Sequence, residues 1–153
     1  MGVQFKLDGA NLGAEDTAAP YSVSWNTTTA TNGSHALTAV ARDAAGNTTT
    51  SAAVTMTVAN NQAPVVNAGP DQTVTLLAGA SLNGTATDDG LPSGTLTIQW
   101  SMVSGPAPVL FSAPQSTTTN ATFTTVGTYV LRLTASDGQF TSSDDVVLTV
   151  NAL

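Results

Sequence analysis

Apolar side chains recur at every second position in short runs, and each run is closed by glycine, proline, asparagine or aspartate. A period of two places one face of an extended strand against a core and the other in water. The first part of the chain carries Val3, Phe5 and Leu7 before Asp8-Gly9, then Tyr21, Val23 and Trp25 after Pro20. Next come Leu37, Ala39 and Ala41, a turn at Ala44 to Asn47, and Val54, Met56 and Val58. The second part has Val74 and Leu76, Leu82, and the clean alternation Leu96, Ile98, Trp100, Met102 that ends before Pro106 and Pro108. Val109 to Phe111, Ala121 with Phe123, Tyr129 to Ala135, and Val146, Leu148 and Val150 complete the set. Helical periodicity is nowhere sustained, so the pattern predicts an all-β chain. Trp25 and Trp100, each in register with apolar neighbours on its own run, are expected to point inward.

Two of these runs repeat. Gly33, His35, Leu37, Ala39, Ala41 and Asp43 match Gly127, Tyr129, Leu131, Leu133, Ala135 and Asp137 at a constant offset of 94, and Val54, Met56 and Val58 match Val146, Leu148 and Val150 at 92. A terminal hairpin is therefore used twice, its second loop two residues shorter. A repeat of this length implies tandem β-sandwich domains. The polar stretch before Pro64 divides them into residues 1–59, a linker at 60–64 and residues 65–153.

Charge narrows the partners. Only 8% of the 153 residues are charged, against about 25% in an ordinary soluble domain. Three cations, Lys6, Arg42 and Arg132, stand against ten carboxylates, which excludes nucleic acid and an anionic membrane surface as partners and makes a cation the fitting guest. No run approaches the ~20 apolar residues of a membrane span, and no basic segment with an apolar stretch follows Met1-Gly2. The chain reads as an excerpt of something longer. The absence of cysteine fits an exported bacterial surface protein.

The segments Ala63-Pro64-Val65-Val66-Asn67-Ala68-Gly69-Pro70-Asp71-Gln72, Thr87-Asp88-Asp89-Gly90, Trp100 through Ser104-Gly105-Pro106, and Gly127-Thr128-Tyr129 leading to Asp137-Gly138 carry a resemblance. Residues 62–150 resemble the polycystic-kidney-disease (PKD) type of immunoglobulin-like domain, found in tandem on bacterial surface proteins and secreted hydrolases. The stretch after Trp100 departs from the family's common Trp-x-Phe-Gly-Asp-Gly, as in a variant subgroup. Residues 1–59 resemble the later portion of a bacterial immunoglobulin-like domain, from Gly2 to Gly9 through Tyr21 to Trp25 and on to Arg42-Asp43-Ala44-Ala45-Gly46-Asn47.

The resemblance implies tandem immunoglobulin-like sandwiches, the first lacking its initial strands. It also implies a non-catalytic spacer or self-assembling module of a bacterial extracellular surface protein, adhesin or filament; the alternative is a carbohydrate- or protein-binding accessory of a secreted hydrolase. The missing strands leave an apolar face uncovered, for which the expected partner is a second copy of the chain or neighbouring domains of a longer one.

Candidate chemistry is confined to loops. In an immunoglobulin-like course, Asn61, Asp88, Asp89 and Asp137 fall at one pole, where a calcium ion would need about six to eight oxygen ligands. The competing role for Asp88 and Asp137 is to cap turns by accepting backbone N–H bonds. Asp43 is the first-domain counterpart of Asp137 but lacks its partner loop. Glu15 and Asp16 should point to opposite faces, and Asp144 and Asp145 should sit solvated at the start of the last strand. His35, offset partner of Tyr129, is expected to replace a tyrosine corner, in which a ring at the start of a strand bonds nearby backbone. No catalytic residue is expected.

Overall fold

A computed structural model describes residues 1–153, and the chain divides into two compact units, Met1–Asn60 and Asn61–Leu153. The boundary lies between two asparagines with different attachments. Asn60 bonds Asn32, Thr27 and Ala30 of the first unit, while Asn61 bonds Asp137 and Gln139 of the second.

In the second unit the alternating runs pair as expected. One sheet has the order β10 (Thr97–Ser104), β13 (Gly127–Ser136), β14 (Thr141–Asn151), β7 (Gln72–Thr75), all antiparallel neighbours except β14 and β7, which run parallel. Across from it lie β11 (Leu110–Phe111), β12 (Thr118–Thr122) and β8 (Ala80–Asn83), with a short pair of β6 (Val65–Asn67) and β9 (Thr85–Thr87). The inward residues of both layers meet in one core: Ala80 and Leu82 from β8 and Ala121 from β12 on one side, and Trp100, Tyr129, Leu131, Leu133, Val146 and Leu148 on the other. Trp100 is 1% exposed and its indole N–H donates to the Thr117 carbonyl at 3.2 Å, so the inward expectation holds for it. Gly84 is small by necessity, since a Cβ there would meet Leu133 at 2.5 Å and Trp100 at 3.0 Å.

The first unit is a single sheet of five strands. β1 (Gly2–Leu7) carries β2 (Ala10–Asn11) on one side and β3 (Gly33–Arg42) on the other, and β3 pairs with β4 (Thr48–Thr50) and then β5 (Val54–Val58). Direct partners across an antiparallel pair share a face. Phe5 opposes Ala39, Leu7 opposes Leu37, His35 opposes Met56 and Leu37 opposes Val54, which puts these residues on one apolar face with threonines alternating on the other. The register of β3 with β5 reproduces that of β13 with β14: Gly33 opposes Val58 as Gly127 opposes Val150, and Leu37 opposes Val54 as Leu131 opposes Val146.

Two expectations are corrected. The two-residue difference between the hairpins does not lie in the loop alone. One residue is in the turn, closed between Asp43 and Asn47 in the first unit and between Asp137 and Phe140 in the second. The other is a bulge at Ser51–Ala53, where the Ser51 hydroxyl accepts the Ala39 N–H at 3.0 Å and so replaces the lost ladder acceptor. The run Tyr21, Val23, Trp25 is not a strand, and Trp25 is only half-buried. At the offset of 94 its counterpart is residues 115–119, which lead into the first residues of β12, a strand held by β8. The first unit has no strand in the β8 position, so the segment has nothing to pair with, and an unpaired strand is not stable in water. Asp16 ties it down instead, accepting the Ala18 and Ser22 N–H groups at 3.0 and 2.9 Å.

The missing layer is visible in exposure. Val146 and Leu148 are 0% exposed, whereas their counterparts Val54 and Met56 are 60% and 44% exposed. Leu148→Ala should therefore destabilise the second unit by about 2–5 kcal/mol, while Met56→Ala should change the stability of the first by less than ~0.5 kcal/mol, as chemical denaturation of the full chain with each variant will show.

Candidate functional site

Three loops of the second unit converge as the course of the fold requires. The Asn61 amide donates to the Asp137 carboxylate at 3.1 Å and to the Gln139 side chain at 3.0 Å, and the neighbouring Gln62 N–H donates to Asp89 at 3.1 Å. The start of the unit is thus bonded to both the Asp88–Asp89 loop and the last hairpin turn. Each carboxylate also builds its own turn. Asp137, 2% exposed, accepts the Gln139 and Phe140 N–H groups at 2.6 Å through one oxygen; Asp88 accepts from Gly90, and Asp89 from Leu91. Burial pushes the Asp137 carboxyl up, but these N–H donors and the Asn61 amide together hold it below the ordinary aspartate value.

As a metal centre the pole is incomplete. No group of three or more His, Asp or Glu side chains stands close enough to hold an ion. Two buried oxygens, Asn61 Oδ1 and Asp88 Oδ1, nevertheless accept no hydrogen bond. A buried acceptor without a donor is costly, and both residues belong to the set named from the sequence.

The strongest match between the units is at the start of the penultimate strand. The Tyr129 hydroxyl donates to the Thr125 carbonyl, four residues back, at 2.8 Å; His35 Nε2 meets the Thr31 carbonyl, also four residues back, at 2.8 Å. Both rings follow a glycine at positive φ, Gly33 at 130° and Gly127 at 139°, a conformation that disfavours any side chain. The expected replacement of the phenol by an imidazole is what the structure contains. It adds something the phenol lacks, because His35 Nδ1 lies 2.7 Å from the Asp8 carboxylate, whose other oxygen accepts the Ala36 N–H at 2.8 Å. The pairing with Asp8 is not evident from strand alternation alone; the signal that could have found it is the Asp8-Gly9 turn at the end of the strand neighbouring His35.

The family model described as the K319L-like PKD domain matches residues 68–150. The chain belongs to this PKD-domain family. A model for a bacterial immunoglobulin domain matches residues 1–39. The dyslexia-associated protein KIAA0319 homolog of Rattus norvegicus is 38% identical over 104 residues, covering 66% of this chain and 9% of that protein; the Mus musculus homolog is 36% identical over 92 residues, covering 60% and 8%. The chain thus spans under a tenth of the length of these relatives. Among solved structures, the PKD domain of human KIAA0319 superposes with a TM-score of 0.50 at 23% identity, covering 60% of this chain and 84% of that one, which shows a shared fold. PKD and immunoglobulin-like domains are generally non-catalytic and typically extracellular, and no helix here is long and apolar enough to cross a membrane.

The remaining acidic side chains of the PKD unit are structural. Asp144 accepts the Ala68 N–H at 2.8 Å and Asp145 pairs with Arg132 at 2.7 Å across the β13–β14 ladder. In the first unit Glu15 pairs with Arg42 at 3.0 Å while its neighbour Asp16 caps the turn already described, so the two have different partners. Asp43 accepts the Asn47 N–H and side-chain amide, both at 2.8 Å, which holds its carboxyl below the ordinary value.

His35 is the one histidine of the chain. Both ring nitrogens face acceptors, the Asp8 carboxylate and the Thr31 carbonyl, and only the doubly protonated imidazolium satisfies both. The Asp8 hydrogen bond, followed by that to Thr31, raises its pKa above the ordinary 6.5, and the Ala36 N–H, followed by His35, lowers that of Asp8 below 3.8. A raised histidine contributes stability that is fully present below the unfolded value and lost as pH rises through the folded one; a lowered aspartate contributes stability lost as pH falls below its unfolded value. The first unit should be most stable between these limits and weaken as pH climbs past 6.5. His35→Tyr should remove the alkaline loss while keeping the corner, as thermal melts of the first unit's transition across pH 5 to 9 will read.

Proposed function

We propose that this chain is a non-catalytic spacer of a bacterial extracellular surface protein, whose PKD unit bears load. The observation that supports the reading is the parallel pairing of β7 with β14, Leu148 opposite Gln72 through Asn151 opposite Thr75. Tension applied from the two sides of the unit, once β6 has parted from β9, draws β7 by its start and β14 by its end. In a parallel pair those ends are opposite, so the ladder is loaded in shear and its hydrogen bonds must fail together. The carbohydrate-binding alternative needs a flat exposed ring, but Trp100 is in the core and Trp25 packs edge-on against His35 at 5.5 Å between ring centres. Val74→Pro, which removes an N–H that β7 directs at β14, should lower the force at which the PKD unit unfolds in single-molecule pulling of the full chain; an unchanged force would count against a load-bearing role.

A second reading, calcium binding at the pole, is favoured by the two unpartnered oxygens of Asn61 and Asp88. Asp89 and Asp137 already accept backbone N–H groups, so in this reading Asn61 Oδ1 and Asp88 Oδ1 are the side-chain ligands available without breaking a turn, with backbone carbonyls and water as the remainder. An ion bound only by the folded state stabilises by mass action. Calcium at about a hundred times its dissociation constant should then add ~2.7 kcal/mol to the PKD unit, and Asp88→Asn should abolish the gain. A melting temperature that is the same in calcium and in chelator removes the site.

A further inference from the structure

The PKD unit changes sheets between β6 and β7, and the segment that makes the change is tied to β14 by side chains. β6 pairs with β9, β7 pairs with β14, and Ala68 to Asp71 cross between them. Two features stop the backbone ladder here: Gly69 turns the chain at a φ of 90°, and Pro70 has no N–H to offer. Two carboxylates continue it. Asp144 of β14 accepts the Ala68 N–H, and Asp71 of the crossover accepts the Val147 N–H of β14, each at 2.8 Å. The exchange is reciprocal, each segment supplying one carboxylate and one N–H.

The spacing is the decisive observation. Every pair of the β7–β14 ladder, from Gln72 opposite Leu148 to Thr75 opposite Asn151, is separated by 76 positions in sequence, and so are Ala68 from Asp144 and Asp71 from Val147. The parallel register therefore runs on from residue 68 to residue 75, through side chains first and through backbone afterwards. We infer that Asp71 and Asp144 are force-bearing residues of the PKD unit, the first rungs of the ladder that tension must shear; the inference rests on the load-bearing reading above. Load reaches β7 from its start, through this crossover. Ties that share one register are strained together when β7 slides along β14, so the two carboxylates resist sliding along with the backbone bonds rather than before them. A hydrogen bond to a charged acceptor is about twice as strong as a neutral one. Other carboxylates of the unit are placed differently: Asp88 and Asp137 accept N–H groups of their own turns, and Asp145 pairs with Arg132 of β13.

Single-molecule pulling of the full chain in two geometries reads the role. Pulled from the chain ends, Asp71→Ala and Asp144→Ala should each raise the unfolding rate of the PKD unit at fixed force by about tenfold, the loss of one hydrogen bond to a charged group. Asp71→Asn and Asp144→Asn keep an acceptor oxygen and should recover most of that loss. Asp145→Ala should change the rate far less, since an exposed ion pair contributes little. Thr118→Cys and Thr128→Cys, at exposed positions of a chain with no other cysteine, give handles that load β12 against β13 instead. In that geometry Asp71→Ala and Asp144→Ala should have a clearly smaller effect. Equal effects in the two geometries would make the carboxylates merely stabilising and overturn the inference, as would no effect in either. Val74→Pro separates the inference from the reading beneath it. If that variant lowers the force and the aspartate variants fail their test, only the role of the carboxylates falls; if it leaves the force unchanged, the load-bearing reading falls and this inference with it.

Discussion

Everything in this chain depends on covering one face of a terminal hairpin. β13 and β14 present Tyr129, Leu131, Leu133, Val146 and Leu148 on one side, and burying side chains of this size is worth roughly 1.5–3 kcal/mol each. The PKD unit meets that demand with β8 and β12, which bring Ala80, Leu82 and Ala121 into the same core. The first unit has the same hairpin in the same register and no opposing layer. Its stability falls instead to the ladder β1–β3–β5, to the turn held by Asp16 and to the His35–Asp8 contact. Identical pairing with unequal cover gives two units of unequal strength.

The two corners show how one geometric requirement accepts different chemistry. A glycine at positive φ starts the penultimate strand, and a ring two residues later returns to the carbonyl four residues before it. Tyr129 fulfils this inside the core, packed on Phe123 at 4.7 Å between ring centres. A phenol donates one hydrogen bond and is neutral, which suits a dry site. His35 sits beside an open face, where a charged ring with a carboxylate partner can be tolerated, and its second nitrogen reaches Asp8 on the adjoining turn. The histidine therefore adds a titratable, carboxylate-paired tie where the apolar cover is missing.

Much of this was legible in the sequence, for a physical reason. Period-two alternation depends only on which side chains face the core, so Val3 to Leu7, Leu37 to Ala41, Leu96 to Met102 and the last two strands were readable directly, and the offsets of 94 and 92 reported the true register. Tyr21 to Trp25 has the same alternation and is not a strand, because pairing depends on a neighbour and alternation does not record one. The Ser51 bulge was hidden for a related reason: an inserted residue shifts the offset by one wherever it lies, and only the hydrogen bonds distinguish a bulge from a longer turn. At the acidic pole the convergence of Asn61, Asp89 and Asp137 followed from topology, whereas the direction in which each carboxylate points is set by local N–H groups that no spacing reveals.

That local capture explains how a chain with ten carboxylates and three cations remains ordered. Asp16, Asp43, Asp88, Asp89, Asp137 and Asp144 each accept at least one backbone N–H, so peptide dipoles offset much of the charge, beside the side-chain pairs of Glu15 with Arg42, Asp145 with Arg132 and Asp8 with His35. A carboxylate held this way resists protonation, as the lowered pKa of Asp16, Asp43 and Asp137 reflects, and it fixes the loop that holds it. Sparse charge on the strand faces follows from the same economy. The turns and loops carry most of the acid, and the strands are left to threonine on the outside and aliphatic residues within.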